Sequence, residues 1–312
     1  MKTDFTIGSR GSRLALWQAE WIKAWLERLN PETKIHIEVI KTSGDVMRDV
    51  PLAVIGGRGI FTKEIEEALL DGRIDLAVHS LKDLPTMLHP QLAIAAIPER
   101  EDSRDALVLR NGGPIGASSI MELPQRAVVG TSSLRRLAQL KHLRPDLRIK
   151  DLRGNVDTRL RKLDEGNYDA VVLAAAGLRR LGFAQRITAA IETREILPAV
   201  GQGALAVETR IDDEAAHTLV APLDDGPTRA ACTAERALLR ELGGGCQVPI
   251  AAHARVSEGA LRLEGLVAVA SGEEVLRDEI CDRAANAVRA GEMLAARLRA
   301  RGADRLLAGA VT

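Results

Sequence analysis

Aromatic residues are scarce in this chain of 312 residues, at 2% of the composition. Three Phe, one Tyr and three Trp are too few to form stacking platforms for single-stranded nucleic acid. Net charge is also absent, because 43 Lys and Arg balance 43 Asp and Glu. The composition therefore gives no reason to expect a nucleic-acid partner, and any core must consist mainly of aliphatic residues.

Long apolar runs and regularly spaced cysteines are missing too. The longest apolar run, residues 170–178, is far shorter than the roughly 20 residues of a membrane-spanning helix, and the first residues resemble no signal peptide. Cys232, Cys246 and Cys281 fit neither a disulfide framework nor a CxxC metal site. We therefore expect a soluble cytoplasmic protein without a membrane partner or a bound metal.

Aliphatic segments alternate with amphipathic segments through the first two thirds of the chain. The pattern predicts strands at residues 5–8, 34–41, 74–79, 91–97, 106–109, 127–130, 148–152 and 170–174. Apolar residues at helical spacing predict helices at residues 14–29, 62–70, 133–143 and 156–165. The alternation predicts α/β domains with parallel sheets that helices cover on both faces.

The last part of the chain has a different pattern. A turn-rich stretch at residues 223–227 precedes a predicted helix, three predicted strands and a closing helix, at residues 228–242, 250–256, 261–269, 274–280 and 284–301. Consecutive strands with short turns predict a small antiparallel sheet with helices on one face. We expect two α/β domains and a smaller α+β domain.

Positive charge is concentrated between Arg126 and Lys162. Eleven basic and three acidic residues leave this segment with an excess of eight positive charges, which the rest of the chain must balance. Four of the basic residues are expected on solvated helix faces: Lys141, Arg144, Arg161 and Lys162. The other basic residues of interest stand at strand ends and helix starts.

Two segments in this basic region have the pattern of an anion site. Both Val129-Gly-Thr-Ser-Ser-Leu-Arg-Arg136 and Asp151-Leu-Arg-Gly-Asn-Val-Asp-Thr-Arg159 lead from a strand through a turn into a helix start with arginines. Arg179 and Arg180 could add a third site. Arginine pairs with carboxylates in a bidentate manner, and GxxxxGK[ST] is absent, so a polycarboxylate is favoured over phosphate.

The segment Val78-His-Ser-Leu-Lys-Asp-Leu-Pro85 lies at the carboxyl end of a predicted strand. One interpretation is a polar turn that ends at Pro85, with Lys82 and Asp83 solvated. The other is a carboxylate that nearby cations keep ionised and that stabilises a cationic intermediate or moves a proton. The residues alone slightly favour the polar turn.

Cys246 follows three glycines in Gly243-Gly-Gly-Cys-Gln-Val-Pro249, which predicts an accessible thiol on a loop. Cys232 and Cys281 are expected to be small buried apolar residues. The sequence contains no G-x-S-x-G, H-E-x-x-H or metal-spaced His and Cys cluster, so a hydrolase or zinc enzyme has no support.

Eight segments together resemble the porphobilinogen deaminase (hydroxymethylbilane synthase) family of tetrapyrrole and haem biosynthesis. In chain order they are Ser9-Arg-Gly-Ser-Arg-Leu-Ala-Leu-Trp-Gln18, Gly56-Gly-Arg-Gly-Ile-Phe61, Val78-His-Ser-Leu-Lys-Asp-Leu-Pro85, Gly130-Thr-Ser-Ser-Leu-Arg-Arg136, Leu152-Arg-Gly-Asn-Val156, Ala175-Ala-Gly-Leu178, Pro198-Ala-Val-Gly-Gln-Gly203 and Gly244-Gly-Cys-Gln-Val-Pro249. One such motif is weak, whereas eight in order along the whole chain are highly specific.

The resemblance implies three domains, two of them like type II periplasmic binding proteins. Domain 1 would be discontinuous, with residues 1–99 and 200–222, domain 2 would span residues 100–199, and domain 3, residues 223–312, would carry the cofactor cysteine. The resemblance also implies a dipyrromethane cofactor, bound to Cys246 through a thioether. Four porphobilinogen molecules would be added stepwise with loss of ammonia, and hydrolysis would release hydroxymethylbilane from a monomeric enzyme.

The resemblance also implies roles for individual residues. Asp83 would be the catalytic carboxylate, and the residues at the primer would be Lys82, Ser133, Arg135 and Arg136. Substrate and growing-chain carboxylates would be bound by Arg10, Ser12, Arg153, Arg159 and Arg180. The chain departs from the family pattern at Val54 and Arg58, where lysines are usual, and at Val54 a cation is lost.

Two other interpretations remain open from the sequence. A non-enzymatic anion-binding module of the type II solute-binding architecture would also bind anions at helix N-termini, but it leaves Cys246 and the Lys82-Asp83 pair without a role. An RNA-binding protein that uses the basic segment has almost no aromatic support.

Overall fold

The computed structural model describes residues 2–46, 62–111, 116–244 and 248–308. The chain divides into two compact units, of which unit 1 comprises Met1–Glu101 and Ala204–Arg229, and unit 2 comprises Asp102–Gly203 and Ala230–Thr312. It therefore crosses between the units three times, after Glu101, after Gly203 and after Arg229. The predicted division into three domains stays a prediction.

The described residues contain thirteen strands and ten α-helices. The strands are β1 Asp4–Ser9, β2 Lys34–Val39, β3 Leu76–Ser80, β4 Leu92–Ala96, β5 Asp105–Leu109, β6 Val128–Gly130, β7 Arg148–Lys150, β8 Ala170–Ala174, β9 Ala189–Ile191, β10 Leu205–Arg210, β11 Ile250–Ser257, β12 Ala260–Ala268 and β13 Val275–Arg283. The helices are α1 Arg13–Leu29, α2 Ser43–Val46, α3 Lys63–Leu70, α4 Leu134–Leu143, α5 Val156–Asp164, α6 Ala175–Arg180, α7 Glu214–Val220, α8 Gly226–Glu241, α9 Ala287–Ala300 and α10 Ala303–Ala308. Short 3-10 helices include Leu81–Asp83 and Ile120–Glu122. None of the helices in these residues is long and apolar enough to cross a lipid bilayer.

Unit 1 is built on a five-stranded sheet of order β2-β1-β3-β10-β4. Strand β1 runs parallel to β2 and β3, whereas β10 runs antiparallel to β3 and β4. Helix α1 covers one face, where Ile22 and Leu26 pack with Ile7 and Leu76. Helix α3 covers the other face through residues that include Ile65. The predicted α1 and α3, residues 14–29 and 62–70, are confirmed to within one residue at each end.

Unit 2 contains a second five-stranded sheet, of order β7-β6-β8-β5-β9. Strand β6 runs parallel to β7 and β8, whereas β5 runs antiparallel to β8 and β9. In both sheets the antiparallel interior strand directly follows a crossing between the units. Each of the two five-stranded sheets is therefore a mixed sheet with one antiparallel interior strand.

The prediction of purely parallel sheets was wrong because β10 and β5 are antiparallel to their neighbours. The sequence pattern also did not predict strand β10. Its sequence includes Glu208, whose side chain is fully buried, so the apolar pattern that marks an interior strand is interrupted there.

The remainder of unit 2 is the predicted antiparallel sheet, of order β11-β12-β13. Leu238 of α8 and Leu294 and Leu298 of α9 pack against Leu263 of this sheet, so the two predicted helices cover the same face. On the other face Leu266 belongs to a small cluster that also contains Ala138 of α4 and Leu197. The three-stranded sheet and the second five-stranded sheet therefore share part of their core.

Arg144, expected on a solvated helix face, is instead mostly buried. Its side chain is 12% exposed and forms a two-bond ion pair with Asp146. Its Nη1 donates to the carbonyl oxygens of Ile120, Met121 and Leu123 at 3.0–3.1 Å. One guanidinium therefore satisfies three carbonyl oxygens at the end of the 3-10 helix Ile120–Glu122.

Replacement of Arg144 by Met should lower the free energy of unfolding by about 2–3 kcal/mol, because charged hydrogen bonds to partly buried carbonyls are lost. The matched control is Arg161→Met, since the Arg161 side chain is 64% exposed in an i,i+4 pair with Glu165 and should cost less than about 0.5 kcal/mol. Urea denaturation monitored by circular dichroism measures both changes. Equal losses in the two variants would contradict the structural role of Arg144.

Candidate active site

Asp83 stands on a rigid turn at the carboxyl end of β3 in unit 1. The turn is the 3-10 helix Leu81–Asp83, in which Leu81 is buried, Lys82 is half-buried and Asp83 is exposed. Leu84, the residue that follows this helix, is also buried. The Leu81 N–H donates to the carbonyl oxygen of Ala204 at 3.0 Å. Buried apolar neighbours thus fix the turn while the carboxylate stays accessible at the end of the strand.

Two polar pairs that the sequence did not predict support this strand end. Gln18 of α1 donates from Nε2 to Ser80 Oγ at 2.8 Å. On β3, His79 Nε2 lies 3.0 Å from Oε2 of Glu208 on β10, and both side chains are buried. Gln18 is the last residue of the first motif, Ser9–Gln18, so the sequence did draw attention to it. Nothing in the sequence connects His79 with a residue 129 positions away.

Arg10 and Ser12 belong to the same edge of the unit 1 sheet. Strands β1 and β3 are parallel neighbours, so the residues that follow both strands lie at one end of the sheet. Ser12 is the N-cap of α1, where its Oγ accepts a hydrogen bond from the Ala15 N–H at 3.2 Å. Arg10 is half-buried between the strand and this cap.

Arg135 and Arg136 of unit 2, at the start of α4, are buried and bind the fully buried Asp105, the first residue of β5. Nη1 of Arg135 lies 2.8 Å from Asp105 Oδ2, and Nη2 of Arg136 lies 2.7 Å from Oδ1. Ser133 is the N-cap of α4 and accepts the Arg136 N–H at 3.5 Å. The helix start predicted to bind anions already contains one internal carboxylate.

The pKa of Asp105 shows which effect dominates in this cluster. Burial raises the pKa of a carboxyl group, but the charges and hydrogen bonds of Arg135 and Arg136 outweigh it and hold the pKa of Asp105 well below its usual range. Asp105 therefore stays ionised in the folded protein throughout the neutral range.

Three further arginines of unit 2 that were predicted to bind anions are half-buried, namely Arg153, Arg159 and Arg180, whereas the predicted Arg179 is exposed and donates to Asp102 Oδ2 at 3.0 Å. Arg153 Nε donates to Asp151 Oδ2, Arg159 Nε to the Gly154 carbonyl oxygen and Arg180 Nη2 to the Gly203 carbonyl oxygen, each at 2.7 Å. They lie in the segments that follow β7 and β8 at their carboxyl ends. Asn155 is the N-cap of α5 but makes no capping hydrogen bond with its side chain.

The predictions for the burial of the three cysteines differ in how they compare with the structure. Cys246 lies outside the described residues, as do Val54 and Arg58. Cys232 is fully buried, which confirms the prediction. The prediction that Cys281 is buried was wrong, because it lies on the edge strand β13, where it is exposed.

The side chains described in each unit include groups that bind carboxylates. Guanidinium, ammonium and hydroxyl groups stand at the ends of parallel strands and at helix N-termini in both units. Within the described part of the chain no group of three or more His, Cys, Asp and Glu side chains could hold a metal ion.

Comparison with known proteins identifies two families of domains along the chain. Residues 5–218 match the model described as "Porphobilinogen deaminase, dipyromethane cofactor binding domain", and residues 229–300 match "Porphobilinogen deaminase, C-terminal domain". The chain is 54% identical over 302 residues to the porphobilinogen deaminase of Syntrophotalea carbinolica, with 97% of this chain and 94% of the relative aligned. It is 52% identical over 301 residues to that of Pelobacter propionicus, with 96% and 95% aligned.

Among solved structures, the periplasmic aliphatic sulphonate binding protein SsuA from Escherichia coli is similar to 77% of this chain and 70% of its own, with a TM-score of 0.41 and 17% identity.

The low pKa of Asp105 predicts how acid affects stability. A carboxyl with a lowered pKa in the folded state stabilises the fold above its unfolded-state pKa, near 3.8, and this contribution is lost as pH falls below that value. Asp105→Asn should therefore reduce the slope of unfolding free energy against pH below about pH 4, by up to about 1.4 kcal/mol per pH unit. Urea denaturation between pH 5 and pH 2.5 measures the slope, and an unchanged slope would contradict the assignment.

Proposed function

The chain belongs to the porphobilinogen deaminase family, and from that membership we propose that it condenses four porphobilinogen molecules head to tail with loss of ammonia. The chain would grow on a covalently bound dipyrromethane, and hydrolysis would release the linear tetrapyrrole hydroxymethylbilane. The observation that carries the proposal is that both family models match in order, one over residues 5–218 and the other over residues 229–300.

The alternative, a non-enzymatic anion-binding module, is not favoured. Such a module would also bind anions at helix N-termini, but it would not account for a match to the cofactor-binding domain of an enzyme family over most of the chain. We propose a transferase that acts as a monomer in the cytoplasm, without a nucleic-acid partner.

Asp83 is the proposed catalytic group. Its carboxylate is exposed on a turn that buried Leu81 and Leu84 fix, so it can accept hydrogen bonds from pyrrole N–H groups without a large rearrangement. A negative charge about 4 Å from a developing positive charge contributes roughly 4 kcal/mol at an effective dielectric near 20, before desolvation. Stabilisation of positive charge on the substrate during loss of ammonia is its proposed role.

The proposed binding residues divide between the cofactor and the substrate chain. When bound, the dipyrromethane supplies the pyrrole carbon to which the first substrate unit is joined. Lys82, Ser133, Arg135 and Arg136 would bind its acetate and propionate groups, and Cys246 would provide the thioether sulfur. The residues proposed for carboxylates of the substrate and growing chain are Arg10, Ser12, Arg153, Arg159 and Arg180.

Cys246→Ser should abolish attachment of the cofactor and turnover, because a hydroxyl is a much weaker nucleophile than a thiolate. Intact mass spectrometry should give the mass of the bare chain, and a pyrrole-reactive aldehyde reagent should give no colour. The matched control is Cys281→Ser, since Cys281 is an exposed thiol on β13, and this variant should keep the added mass. A fully loaded and active Cys246→Ser enzyme would refute this role for the thiol.

Asp83→Asn should leave the fold and the cofactor mass intact but reduce kcat by at least about 100-fold, because the amide carries no charge and accepts no proton. The control is Asp71→Asn, an exposed aspartate at the end of α3 in the same unit, which should turn over normally. Formation of hydroxymethylbilane from porphobilinogen measures both rates. Normal turnover by Asp83→Asn would remove the residue from the mechanism.

A further inference from the structure

The buried cluster around Asp105 contains unequal numbers of positive and negative charges. Asp105, Arg135 and Arg136 are 0%, 5% and 6% exposed, so two guanidinium groups share one carboxylate away from water. Oδ1 of Asp105 lies close to Nη2 of Arg135 and accepts from Nε and Nη2 of Arg136, and Oδ2 accepts from Nη1 of Arg135. Asp105 neutralises one of the two positive charges and leaves one in excess.

The hydrogen-bond donors of the two arginines are also incompletely used. Within the described residues, Nε of Arg135 is buried and makes no hydrogen bond, and Nη1 of Arg136 makes none either. Burial lowers the pKa of Arg135, the charge of Asp105 raises it and the charge of Arg136 lowers it further, so the net effect is downward. An uncompensated positive charge in a buried place is unfavourable unless an anion joins it.

Neutral groups fix the position of the Asp105 carboxylate without any change in this charge balance. Gln202 donates from Nε2 both to Asp105 Oδ1 and to the Ser103 carbonyl oxygen, each at 2.8 Å. Nη1 of Arg135 donates to the Leu197 carbonyl oxygen at 2.6 Å. Gln202 therefore holds the carboxylate and the Leu197 carbonyl holds Arg135, so the fold determines which guanidinium donors face Asp105.

We propose that Asp105 is a positioning residue that holds Arg135 and Arg136 so that one buried positive charge is left for one carboxylate of the bound cofactor. This proposal rests on the proposed function, in which these arginines bind the acetate and propionate groups of dipyrromethane. A ligand carboxylate would bring the cluster to two positive and two negative charges. The cofactor then stabilises the fold at this point, and Asp105 sets the size of that effect.

The proposal predicts opposite results for two substitutions. Asp105→Asn leaves two positive charges with no internal counterion, so the cofactor-free protein should lose more stability than the loaded protein. Arg136→Met leaves one arginine paired with Asp105, so the cofactor-free protein should keep its stability while the loaded protein loses the ligand contact. A merely structural ion pair would be destabilised by either change in both forms.

The experiment compares urea midpoints of the full chain with and without dipyrromethane, at pH 7. The cofactor-free form is produced in cells that make no porphobilinogen, and intact mass confirms the state of each sample. The gap between the midpoints of the loaded and cofactor-free forms should be wider in Asp105→Asn than in the wild type, and narrower in Arg136→Met.

The matched control is Asp146→Asn. Asp146 forms a two-bond ion pair with Arg144 in the same unit, and neither residue contacts the Asp105 cluster through a hydrogen bond in the described residues. This variant should lower both midpoints equally and leave the gap at the wild-type value.

Three outcomes would overturn the proposal. The first is a wild-type gap in Asp105→Asn. The second is a urea midpoint of cofactor-free Arg136→Met that falls as far below the wild-type value as the midpoint of cofactor-free Asp146→Asn. This outcome tests the proposal even if Asp105→Asn does not fold. A wild-type chain with only the bare sequence mass after expression in cells that make porphobilinogen would overturn the proposed function, and this proposal with it, whereas the first two outcomes leave the proposed function intact.

Discussion

The carboxylate of Asp105 is the interaction on which the organisation of unit 2 depends. It stands at the start of the antiparallel strand β5 and binds the two arginines at the N-terminal end of α4. Through Gln202 the same carboxylate is tied to the segment where the chain leaves the unit, and through Arg135 to the carbonyl of Leu197. A strand, a helix start and a chain crossing are thus joined by one buried charge, whose removal would leave two cations unpaired.

The two units place carboxylates at comparable points of similar sheets and give them different chemistry. Asp83 follows β3 and is exposed, so its charge is available to a ligand. Asp105 is buried, and two arginines fix its charge, so it acts on other side chains. Burial and the number of neighbouring cations, rather than residue type, separate a carboxylate whose charge is accessible from one whose charge is used to hold other side chains.

Local pattern was sufficient to predict α1, α3, α4 and α5 to within one residue, because their apolar faces repeat over several turns. It was insufficient for β10, where the buried Glu208 pairs with His79 across the sheet. It also could not identify Asp105, which lies 30 residues from its nearest arginine partner. Polar pairs between distant segments leave no periodic signal, so the turn that carries Asp83 was predictable and the distant residues that support it were not.

The excess positive charge of the basic segment, residues 126–162, is partly neutralised within the fold. A count over residues 126–162 gives an excess of eight positive charges, but the counterion of Arg135 and Arg136 lies outside that range. Arg144 donates hydrogen bonds to Asp146 and to backbone carbonyl oxygens. The field available to a ligand therefore comes from fewer cations than the count suggests, and their positions are fixed by the fold. Fixed and separated cations favour a ligand whose carboxylates are spaced along a chain over one with a single dense charge, which agrees with an enzyme that lengthens a polycarboxylate one pyrrole at a time.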